Sequence, residues 1–346
     1  MSSEIDIINP IDYPGWDDLI QGNASDVFSN TTAWAKILSE TYGYKPIYFT
    51  VFDKNRLATL LPVIEVNSIV TGLRGVSLPF TDYCNPIIDG EKQFHDLFNH
   101  IVTYGKKRSW KYFEFRNGER YLHDRMPASS YFGHTLDLSG DERKIYAACR
   151  ESTRRNIRNA TKHGVEVTMH ESLNAVQEYY KLHCMTRKRQ GVPPQAFTFF
   201  KKIHEHIISQ KFGIIVLGAY KNRFIAGAVF LHRGTTAFFK YGASDLEKQN
   251  LRANNLVMWK AIKHYSERGF MNFCFGRTDL DNQGLRQFKA GWGAKENRIN
   301  YYRYDLQKDT FVANRRHIRP LHNRIFRNMP VSVLQAAGRL LYRHMG

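Results

Sequence analysis

The stretch of sequence that decides the fold runs from Phe273 to Ala294 and reads Phe-Cys-Phe-Gly-Arg-Thr-Asp-Leu-Asp-Asn-Gln-Gly-Leu-Arg-Gln-Phe-Lys-Ala-Gly-Trp-Gly-Ala. Its apolar start predicts a strand that ends at Gly276-Arg277, and a polar loop follows. We predict a short helix from Gly284 and then a turn at Gly291-Trp-Gly293, because glycines allow positive φ angles and close approach of the backbone. The turn leads into a last strand.

Several side chains of this stretch are candidates for a functional role. Lys289 follows the aromatic Phe288 between two glycine turns, which suits a catalytic ammonium or an ordinary surface lysine equally. Asp279 and Asp281 precede it in the polar loop and are candidate proton acceptors, with a structural role as the alternative. Trp292 suits the core as well as the wall of a binding cleft.

Around this stretch, the hydrophobic periodicity of residues 165–310 predicts a compact αβ unit. The predicted elements are helices over 175–189 and 197–209, strands over 213–220, 223–233 and 235–244, a helix over 253–268, and strands over 272–275 and 298–305. Turns at Lys221-Asn222 and at Gly234 make the first three strands a meander.

A looser version of the same order occupies the first half of the chain. Its predicted elements are a helix over 34–42, strands over 46–52, 57–66 and 75–80, a helix over 91–106 and a strand over 112–115. This order resembles the acyltransferase domain of the GNAT superfamily, present twice. We therefore predict an α+β fold of two tandem GNAT-like domains with mixed sheets, over residues 1–145 and 146–310. A basic C-terminal helical tail is predicted over residues 311–346.

Length and composition agree with a folded protein that binds a polyanion. The 346 residues favour two domains over one. Apolar residues make up 42% of the chain and aromatic residues 14%, which excludes a disordered, collagen-like or coiled-coil protein. The formal net charge of +18 indicates a polyanionic partner such as nucleic acid, a phosphorylated substrate or an anionic membrane surface.

Two segments concentrate this charge. Residues 143–164 hold seven basic side chains and one acid, and residues 311–346 hold seven arginines and no acid. A solvated helix face is the plain alternative for either segment, but the asymmetry of both favours binding surfaces. Within the second segment, Pro330 starts a predicted helix with one apolar face, which either docks on its own domain or lies on a membrane.

Other patterns narrow the class of protein. The four cysteines lie far apart and form no CxxC pair, which predicts reduced, packed thiols in a cytoplasmic protein. The first residues carry acids without a basic-then-apolar stretch, so we predict no secretory signal. The sequence contains no run of about 18 consecutive apolar residues, so we predict no membrane-spanning helix. No His/Cys/Asp cluster has metal-ligand spacing, so no metal is predicted.

Three further segments carry a specific resemblance. They are Ser77-Leu-Pro-Phe-Thr-Asp-Tyr83, Ser152-Thr-Arg-Arg-Asn-Ile-Arg-Asn-Ala160 with Lys162-His-Gly-Val165, and Ala253-Asn-Asn-Leu-Val-Met-Trp259. With the stretch from Phe273 to Ala294 they resemble the FemABX-like family, tandem-GNAT proteins that include the aminoacyl-tRNA-dependent enzymes of peptidoglycan interpeptide bridges. The pattern is also similar to the BioF2-like acetyltransferase group of envelope and exopolysaccharide clusters. The resemblance covers about residues 30–305.

The resemblance implies roles for particular residues. Phe288 and Lys289 match an aromatic–lysine pair near the donor carbonyl, where an ammonium stabilises the developing oxyanion. Arg154 matches the basic helix associated with the phosphate groups of the acceptor, which a guanidinium binds in bidentate fashion. The other candidate binding residues from these motifs are Arg155, Arg158, Asp82, Tyr83, Arg277 and Trp292.

The donor is harder to predict. GNAT enzymes that use acetyl-CoA hold its pyrophosphate on a Gln/Arg-x-x-Gly-x-Gly/Ala turn at a helix N-terminus. The equivalent segment here, Gln249 to Leu256, has no glycine, and we expect the side chains of residues 252–255 to crowd a pyrophosphate. A polyanionic donor such as tRNA on the basic surface explains this absence. Coenzyme A bound in another way, with the charge serving a membrane, is the alternative.

Together these observations predict a cytoplasmic N-acyltransferase, without metal or other cofactor, that acts on an amine of a phosphorylated or lipid-linked cell-envelope precursor. Aminoacyl-tRNA is the favoured donor. An acyl-CoA-dependent enzyme of exopolysaccharide or lipid-linked sugar synthesis is the alternative, and a non-catalytic RNA- or membrane-binding module is a third hypothesis. The C-terminal helix is a candidate for peripheral contact with the inner face of the membrane.

Overall fold

A computed structural model describes residues 4–22, 27–54, 56–84, 86–313 and 322–346. Part of the predicted basic tail, including Arg315, Arg316 and Arg319, lies outside these residues. Within the described residues, none of the helices is both long enough and apolar enough to span a bilayer.

The elements up to residue 137 are strand β1 (Asp6–Ile8), helices α1 (Trp16–Leu19) and α2 (Thr32–Tyr42), strands β2 (Lys45–Asp53), β3 (Arg56–Val66) and β4 (Arg74–Val76), helix α3 (Glu91–Lys107), and strands β5 (Tyr112–Arg116) and β6 (Ser129–Asp137). The next elements are helices α4 (Glu142–Ala148) and α5 (Glu151–Lys162), strand β7 (Glu166–His170), helices α6 (Leu173–Gln190) and α7 (Phe197–Ile203), strands β8 (Gly213–Tyr220), β9 (Arg223–Arg233) and β10 (Thr236–Ser244), helix α8 (Ala253–Glu267), strand β11 (Asn272–Asp279) and helix α9 (Gln283–Ala290). The last elements are strands β12 (Lys295–Asp305) and β13 (Thr310–Phe311) and helices α10 (His322–Asn328) and α11 (Val331–Leu341).

The chain forms two compact units that interleave in sequence. The first unit holds Met1–Tyr131, Arg298–His317 and Leu341–Gly346, and the second holds Phe132–Asn297 and Ile318–Leu340. The domain boundaries at residues 145 and 310 stay predictions.

Each unit repeats one arrangement of strands. In the first unit the order is β1-β2-β3-β4-β5-β12, and β4 and β5 are its parallel pair, joined by α3. In the second unit the order is β6-β11-β10-β9-β8-β7, and β10 and β11 are parallel and joined by α8. Antiparallel meanders precede both pairs. The predicted α+β fold, with one mixed sheet arrangement present twice, is confirmed.

The core of the second unit shows where Trp292 lies, for which the sequence suits either the core or the wall of a cleft. Helix α8 buries Ala261, Ile262 and Tyr265 completely, in one apolar cluster with residues of the sheet. Trp292 belongs to this cluster and has 0% of its surface exposed. Trp292 is therefore a core residue, and its flanking glycines serve packing.

Some elements differ from the predictions. The helix expected over 197–209 keeps α geometry only to Ile203, after which one π-type turn follows, closed by a hydrogen bond from the Ser209 N–H to the His204 carbonyl (2.9 Å). Strands β6 and β7 were not predicted, because their sequences mix polar and apolar residues without a long apolar run.

The four cysteines are all buried, in agreement with the prediction of packed thiols. Burial raises the pKa of the Cys149 thiol to about 11 and that of Cys84 to about 12. Both thiols are therefore protonated at neutral pH.

A buried histidine links the stability of the second unit to pH. His183 on α6 is only 4% exposed, and its ring lies 4.8 Å from that of Phe200 and 5.9 Å from that of Tyr179. Burial, and to a smaller extent the nearby Arg187, lowers the pKa of His183 to about 3. The folded protein therefore keeps this imidazole neutral at a pH where the unfolded chain protonates it.

We expect this difference to destabilise the protein in mild acid. An unfolded histidine titrates near pH 6.5, so between pH 7 and pH 5 the unfolded chain gains a proton that folded His183 does not accept. The free energy of unfolding should fall by about 2 kcal/mol through this residue. In urea unfolding at both pH values, the free energy of unfolding of His183→Gln should fall by about 2 kcal/mol less than that of the wild type. The exposed His163, changed to Gln, serves as the control, and equal declines in all three proteins would contradict the assignment.

Candidate functional site

A cavity of about 530 Å³ opens in the second unit. It lies where helices α5, α8 and α9 meet the start of strand β9 and the end of strand β10. Its lining is mostly polar and comes from segments far apart in the sequence. The lining residues are Arg150, Ser152, Thr153, Asn156, Ile225, Ala226, Ser244, Asp245, Lys248, Gln249, Arg252, Ala253, Asn254, Asn255, Gly284, Gln287 and Phe288.

Two helices begin at this cavity. Arg150 precedes α5 and Arg252 precedes α8, and among the described residues no side chain caps either helix start. The first N–H groups of a helix have no partner within it, and the helix dipole adds partial positive charge there. The cavity is therefore suited to an anionic group, as at many phosphate sites.

Arg252 gives the turn before α8 an unusual backbone. Its φ of 57° and ψ of 26° lie in the left-handed region that glycine adopts without strain. In the acetyl-CoA turn a glycine stands at the equivalent place, so arginine keeps a backbone conformation that glycine normally supplies. Residues 252–255 all line the cavity, and the expectation that their side chains crowd a pyrophosphate stays a prediction.

The charge of the lining is mainly positive. Arg150, Lys248 and Arg252 contribute three cations. The one acid of the lining, Asp245, is 2% exposed, and its Oδ1 accepts a hydrogen bond from the Glu247 N–H (3.0 Å). Its Oδ2 lies 3.4 Å from the Arg223 guanidinium. One carboxylate oxygen is thus hydrogen-bonded within its own turn and the other faces Arg223, so the three cations dominate the charge of the lining.

Lys289 is not a surface lysine. It is 2% exposed, and its Nζ donates hydrogen bonds to the carbonyl oxygens of Gly276 and Arg277, both at 2.9 Å. Gly276 has a φ of 69° within β11, a conformation that favours glycine. The ammonium therefore ties α9 to β11.

Phe288 forms part of the cavity wall, and the turn after it is packed closely. The Phe288 ring lies 6.0 Å from that of Trp292 at an angle of 78°. A Cβ on Gly291 would lie 2.6 Å from Thr153 Oγ1, and the Gly291 carbonyl accepts a hydrogen bond from the Arg150 N–H (2.8 Å). Gly291 is thus required for the contact of α9 with the start of α5.

The predicted phosphate-binding arginines lie on α5 and share one acid. Arg154 and Arg158 contact the two carboxylate oxygens of Glu151 at 2.8 and 2.7 Å, and Arg155 is exposed. These three arginines are not among the described residues that line the cavity. Arg154 also donates a long hydrogen bond to the Ala147 carbonyl (3.5 Å). The structure brings Arg154 and Arg158 together through an acid that the prediction did not include.

The other candidates of the second unit lie outside the cavity lining. Asp279 and Asp281 are exposed, and their backbone carbonyls accept hydrogen bonds that build the turn before α9. Arg277 is half-buried and contributes its carbonyl to Lys289. Geometry therefore supports a structural role for the backbone of all three residues, and their catalytic or binding roles stay predictions.

Asp82 and Tyr83 lie in the first unit, in a hydrogen-bonded loop after β4. Leu78 in this loop has a φ of 57°, and its carbonyl accepts a hydrogen bond from the buried Arg116 (3.2 Å). The Asp82 carbonyl accepts one from the Tyr301 hydroxyl (2.9 Å). Both candidate side chains are half-buried. Their role in substrate binding stays a prediction.

Sequence reasoning missed the cationic part of the cavity. Arg150 and Arg252 each stand directly before a helix, and Lys248 lies four residues upstream of Arg252. A basic residue in place of the usual Ser, Thr, Asp or Asn cap was the available signal. For Glu151, the i, i+3 spacing to Arg154 was the available signal.

Comparisons with known proteins agree with this geometry. A family model described as the acetyltransferase (GNAT) domain matches residues 147–290, which lie in the second unit. Lipid II:glycine glycyltransferases of Staphylococcus saprophyticus and Staphylococcus aureus are 30% identical to this chain over 76 residues. These matches cover 20% of this chain and 18% of the length of those relatives.

Solved structures extend the likeness of fold to most of the chain. The crystal structure of FemX has a TM-score of 0.68 at 12% identity, over 86% of this chain and 96% of FemX. A tandem GNAT protein from the clavulanic acid biosynthesis pathway has a TM-score of 0.56 at 9% identity, over 88% and 99% of the two chains. The chain thus carries a GNAT acetyltransferase-type domain over residues 147–290, and its fold is similar to that of tandem GNAT proteins. The resemblance to the FemABX-like proteins is confirmed.

The burial of Lys289 leads to a test of stability. Lys289→Met removes the donor of two buried carbonyl groups, so we expect the free energy of unfolding to fall by about 2–4 kcal/mol. Thermal and urea unfolding measure the loss. Lys260→Met, at an exposed position of α8, is the matched control and should change little. Equal stability of both variants and the wild type would contradict the two hydrogen bonds.

Proposed function

We propose that this protein transfers an aminoacyl group from an aminoacyl-tRNA to an amine of a lipid-linked or phosphorylated precursor of the cell envelope, at the cytoplasmic face of the membrane. The observation that carries the proposal is the cationic cavity at two helix starts within a GNAT domain. Relatives that match a fifth of the chain are named lipid II:glycine glycyltransferases, which supports this class of acceptor.

The proposed reaction forms an amide from an ester and an amine. The amine nitrogen of the acceptor attacks the ester carbonyl carbon of the aminoacyl-tRNA, and a C–N bond forms. The bond from this carbon to the ribose oxygen of the tRNA breaks, the amine loses a proton and the ribose oxygen gains one. Cys149 lies in the core near this site with its thiol protonated at neutral pH, which favours direct transfer without a thioester.

Lys289 and Phe288 keep their proposed roles at the donor carbonyl. Phe288 lines the cavity and is proposed to form the wall against which the donor lies. Lys289 does not line the cavity and its Nζ donates to two backbone carbonyls, so its positive charge is proposed to act on the oxyanion through α9 and not by direct contact. Loss of such a stabiliser slows a reaction by about 10²–10³-fold. Transfer by Lys289→Met, assayed at a temperature where the variant is folded, within tenfold of the wild-type rate would contradict this role.

The acceptor is proposed to bind through the basic helix α5 of the second unit. Arg154, Arg155 and Arg158 present guanidinium groups for its phosphates, although Glu151 now competes for two of them. Within the first unit taken by itself, Asp82 and Tyr83 keep their predicted role in substrate binding as a proposal. Asp279, Asp281 and Arg277 remain candidates for proton transfer and binding.

An acyl-CoA donor is the second candidate, and a specific observation favours it. The backbone of Arg252 reproduces the left-handed residue of a pyrophosphate-binding turn, and the cavity beside it is open. Two uncapped helix starts suit a pyrophosphate as well as the terminal phosphates of tRNA. The cavity itself does not distinguish the two donors. Charged tRNA is larger than coenzyme A and carries more phosphates that can contact the protein outside the cavity.

Isothermal titration with charged tRNA and with coenzyme A separates the two donors. We expect tRNA to bind, with affinity that falls steeply as salt rises, because each phosphate contact releases counterions. Arg252→Gln should lower the slope of log Kd against log salt by about 1, because one contact is lost. Arg268→Gln, at the opposite end of α8, is the control and should leave the slope unchanged.

Two results would contradict the proposal. Micromolar binding of coenzyme A without binding of tRNA would favour the acyl-CoA enzyme. Binding of tRNA without transfer to any amine of lipid II or its nucleotide precursor would favour a non-catalytic binding module.

Peripheral membrane contact through the C-terminal helix is part of the proposal. Helix α11 packs against its own unit through Leu334 and Gly338, since a Cβ on Gly338 would lie 1.9 Å from the Pro194 carbonyl oxygen. Val333 and Leu340, two turns apart, are 48% and 68% exposed on the other side of the helix. The exposed Arg339 stands beside them. An apolar stripe with cations suits an anionic bilayer surface.

Vesicle co-sedimentation tests this contact. We expect the protein to bind vesicles that contain phosphatidylglycerol and to bind pure phosphatidylcholine vesicles weakly, because anionic lipid attracts the arginines. The double variant Val333→Glu/Leu340→Glu should lose most of this binding. Met271→Glu, another exposed apolar position, is the control. Unchanged binding by the double variant would contradict a role for α11.

A further inference from the structure

The loop between β3 and β4 of the first unit carries two adjacent exposed apolar side chains. Ile69 and Val70, which we call the apolar tip, are 94% and 68% exposed. Within the part of the chain that the structure describes, Ile69 is the most exposed large apolar side chain. A single exposed apolar residue is ordinary, but two neighbouring β-branched side chains so open to water indicate a contact surface.

Hydrogen bonds fix the shape of this loop. The Ser68 hydroxyl oxygen accepts hydrogen bonds from the N–H groups of Val70 (3.2 Å) and Thr71 (2.9 Å), and the Ser68 carbonyl accepts one from the Gly72 N–H (2.7 Å). Gly72 has a φ of 83°, which favours glycine, and its carbonyl accepts a hydrogen bond from the buried Arg74 (3.3 Å). The backbone of the loop therefore holds the apolar tip in water.

The C-terminal segment of the first unit, residues 341–346, lies beside this loop. His344 Nδ1 lies 3.0 Å from the Ser68 hydroxyl oxygen, and the His344 carbonyl accepts a hydrogen bond from the Thr71 hydroxyl (3.4 Å). The next residue, Met345, is 53% exposed. A third exposed apolar side chain thus stands close to the loop that carries the apolar tip.

Two cations accompany these apolar side chains. The Lys111 side chain occupies the space beside Gly72 where a Cβ would stand, and Arg343 lies in the adjoining C-terminal segment. Both cations are exposed. The acid nearest to the loop in sequence, Glu65, is only 5% exposed and pairs with Arg108 (2.8 Å). Lys111 and Arg343 thus supply exposed positive charge beside the loop, while Glu65 is covered.

A bilayer surface fits these features better than a protein partner. A stable protein interface buries about 800 Å² on each side, which is far more than three protruding side chains offer. A bilayer takes up protruding apolar side chains without a matching pocket. Anionic lipids also attract cations that lie beside them.

We propose that the apolar tip is a membrane-contact site of the first unit. Ile69 and Val70 enter the edge of the hydrocarbon region of an anionic bilayer, and Lys111 and Arg343 bind lipid phosphates at its surface. The choice of a membrane as partner rests on the proposed function, in which the acceptor is lipid-linked. The site uses no residue of α11.

Tryptophan fluorescence tests this insertion without a substrate. The five native tryptophans are at most 7% exposed, so a tryptophan added at the tip supplies the signal that remains after subtraction of the wild type. Ile69→Trp is mixed with vesicles of phosphatidylcholine and phosphatidylglycerol whose acyl chains carry bromine, which quenches tryptophan on contact. We expect the added signal to fall by about half or more.

His123→Trp is the matched control for position 69. His123 is exposed in the loop that follows β5, whereas the apolar tip precedes β4. Because β4 and β5 are parallel, these two loops lie at opposite ends of the strand pair, and the control should keep its signal.

Absence of quenching at position 69 in vesicles that the protein binds would overturn the proposal and leave α11 as the membrane contact. Absence of binding to either kind of vesicle would overturn both contacts. Equal quenching in pure phosphatidylcholine vesicles would overturn the role of the two cations. Quenching at position 69 without any transferase turnover would support the contact site and refute only the proposed function.

A double variant measures how much the tip contributes to affinity. Ile69→Ser/Val70→Ser removes apolar surface at exposed positions, and its partition into phosphatidylglycerol vesicles should fall about tenfold. Met126→Ser, at a 75% exposed position in the loop after β5, should bind like the wild type. Wild-type dimers that dissociate in the double variant, with vesicle binding unchanged, would assign the tip to a second copy of the chain and overturn the proposal.

Discussion

The two hydrogen bonds from the Lys289 ammonium to the carbonyls of Gly276 and Arg277 are the constraint on which the site depends. A buried charge is costly unless polar groups replace its water, and here two backbone dipoles do so. Once Lys289 is fixed, α9 can present Phe288 to the cavity, and the chain must then turn sharply against α5 at Gly291. Cavity wall, turn and helix contact therefore follow from one side chain.

Local signals made much of the fold predictable. The meander of β8 to β10 was expected within one residue of its bounds, because Lys221 and Asn222 take the positive φ angles of a tight hairpin and Gly234 closes the next turn. Strand β6 was missed, since its partner β11 lies far away in the sequence and its own residues mix polar with apolar. The importance of Lys289 was predicted from its neighbours. The burial of Lys289 was not predicted, because no local sequence pattern shows whether a lysine ammonium binds backbone carbonyls or water.

The cavity was the least predictable feature, because four separate segments build it. Arg150, Lys248 and Arg252 line one cavity only because α5 and α8 begin side by side. Arginine at position 252 pays about 1–2 kcal/mol of backbone strain for its left-handed conformation. In return the turn carries a full positive charge where glycine offers only N–H groups. The strained backbone at Arg252 lowers stability, and its side chain adds positive charge to the cavity. Strained residues of this kind cluster at functional sites.

Because every cysteine is buried, chemical labelling of the cysteines reports where the folded structure opens. Alkylating reagents react with thiolates, and the folded chain keeps Cys84 and Cys149 both covered and protonated. A label can therefore enter only when the surrounding structure opens. Cys84 lies in the first unit and the other three cysteines in the second, so the peptides that carry a label identify the unit that opened. Timed alkylation would thus rank the two units by local stability without any added probe.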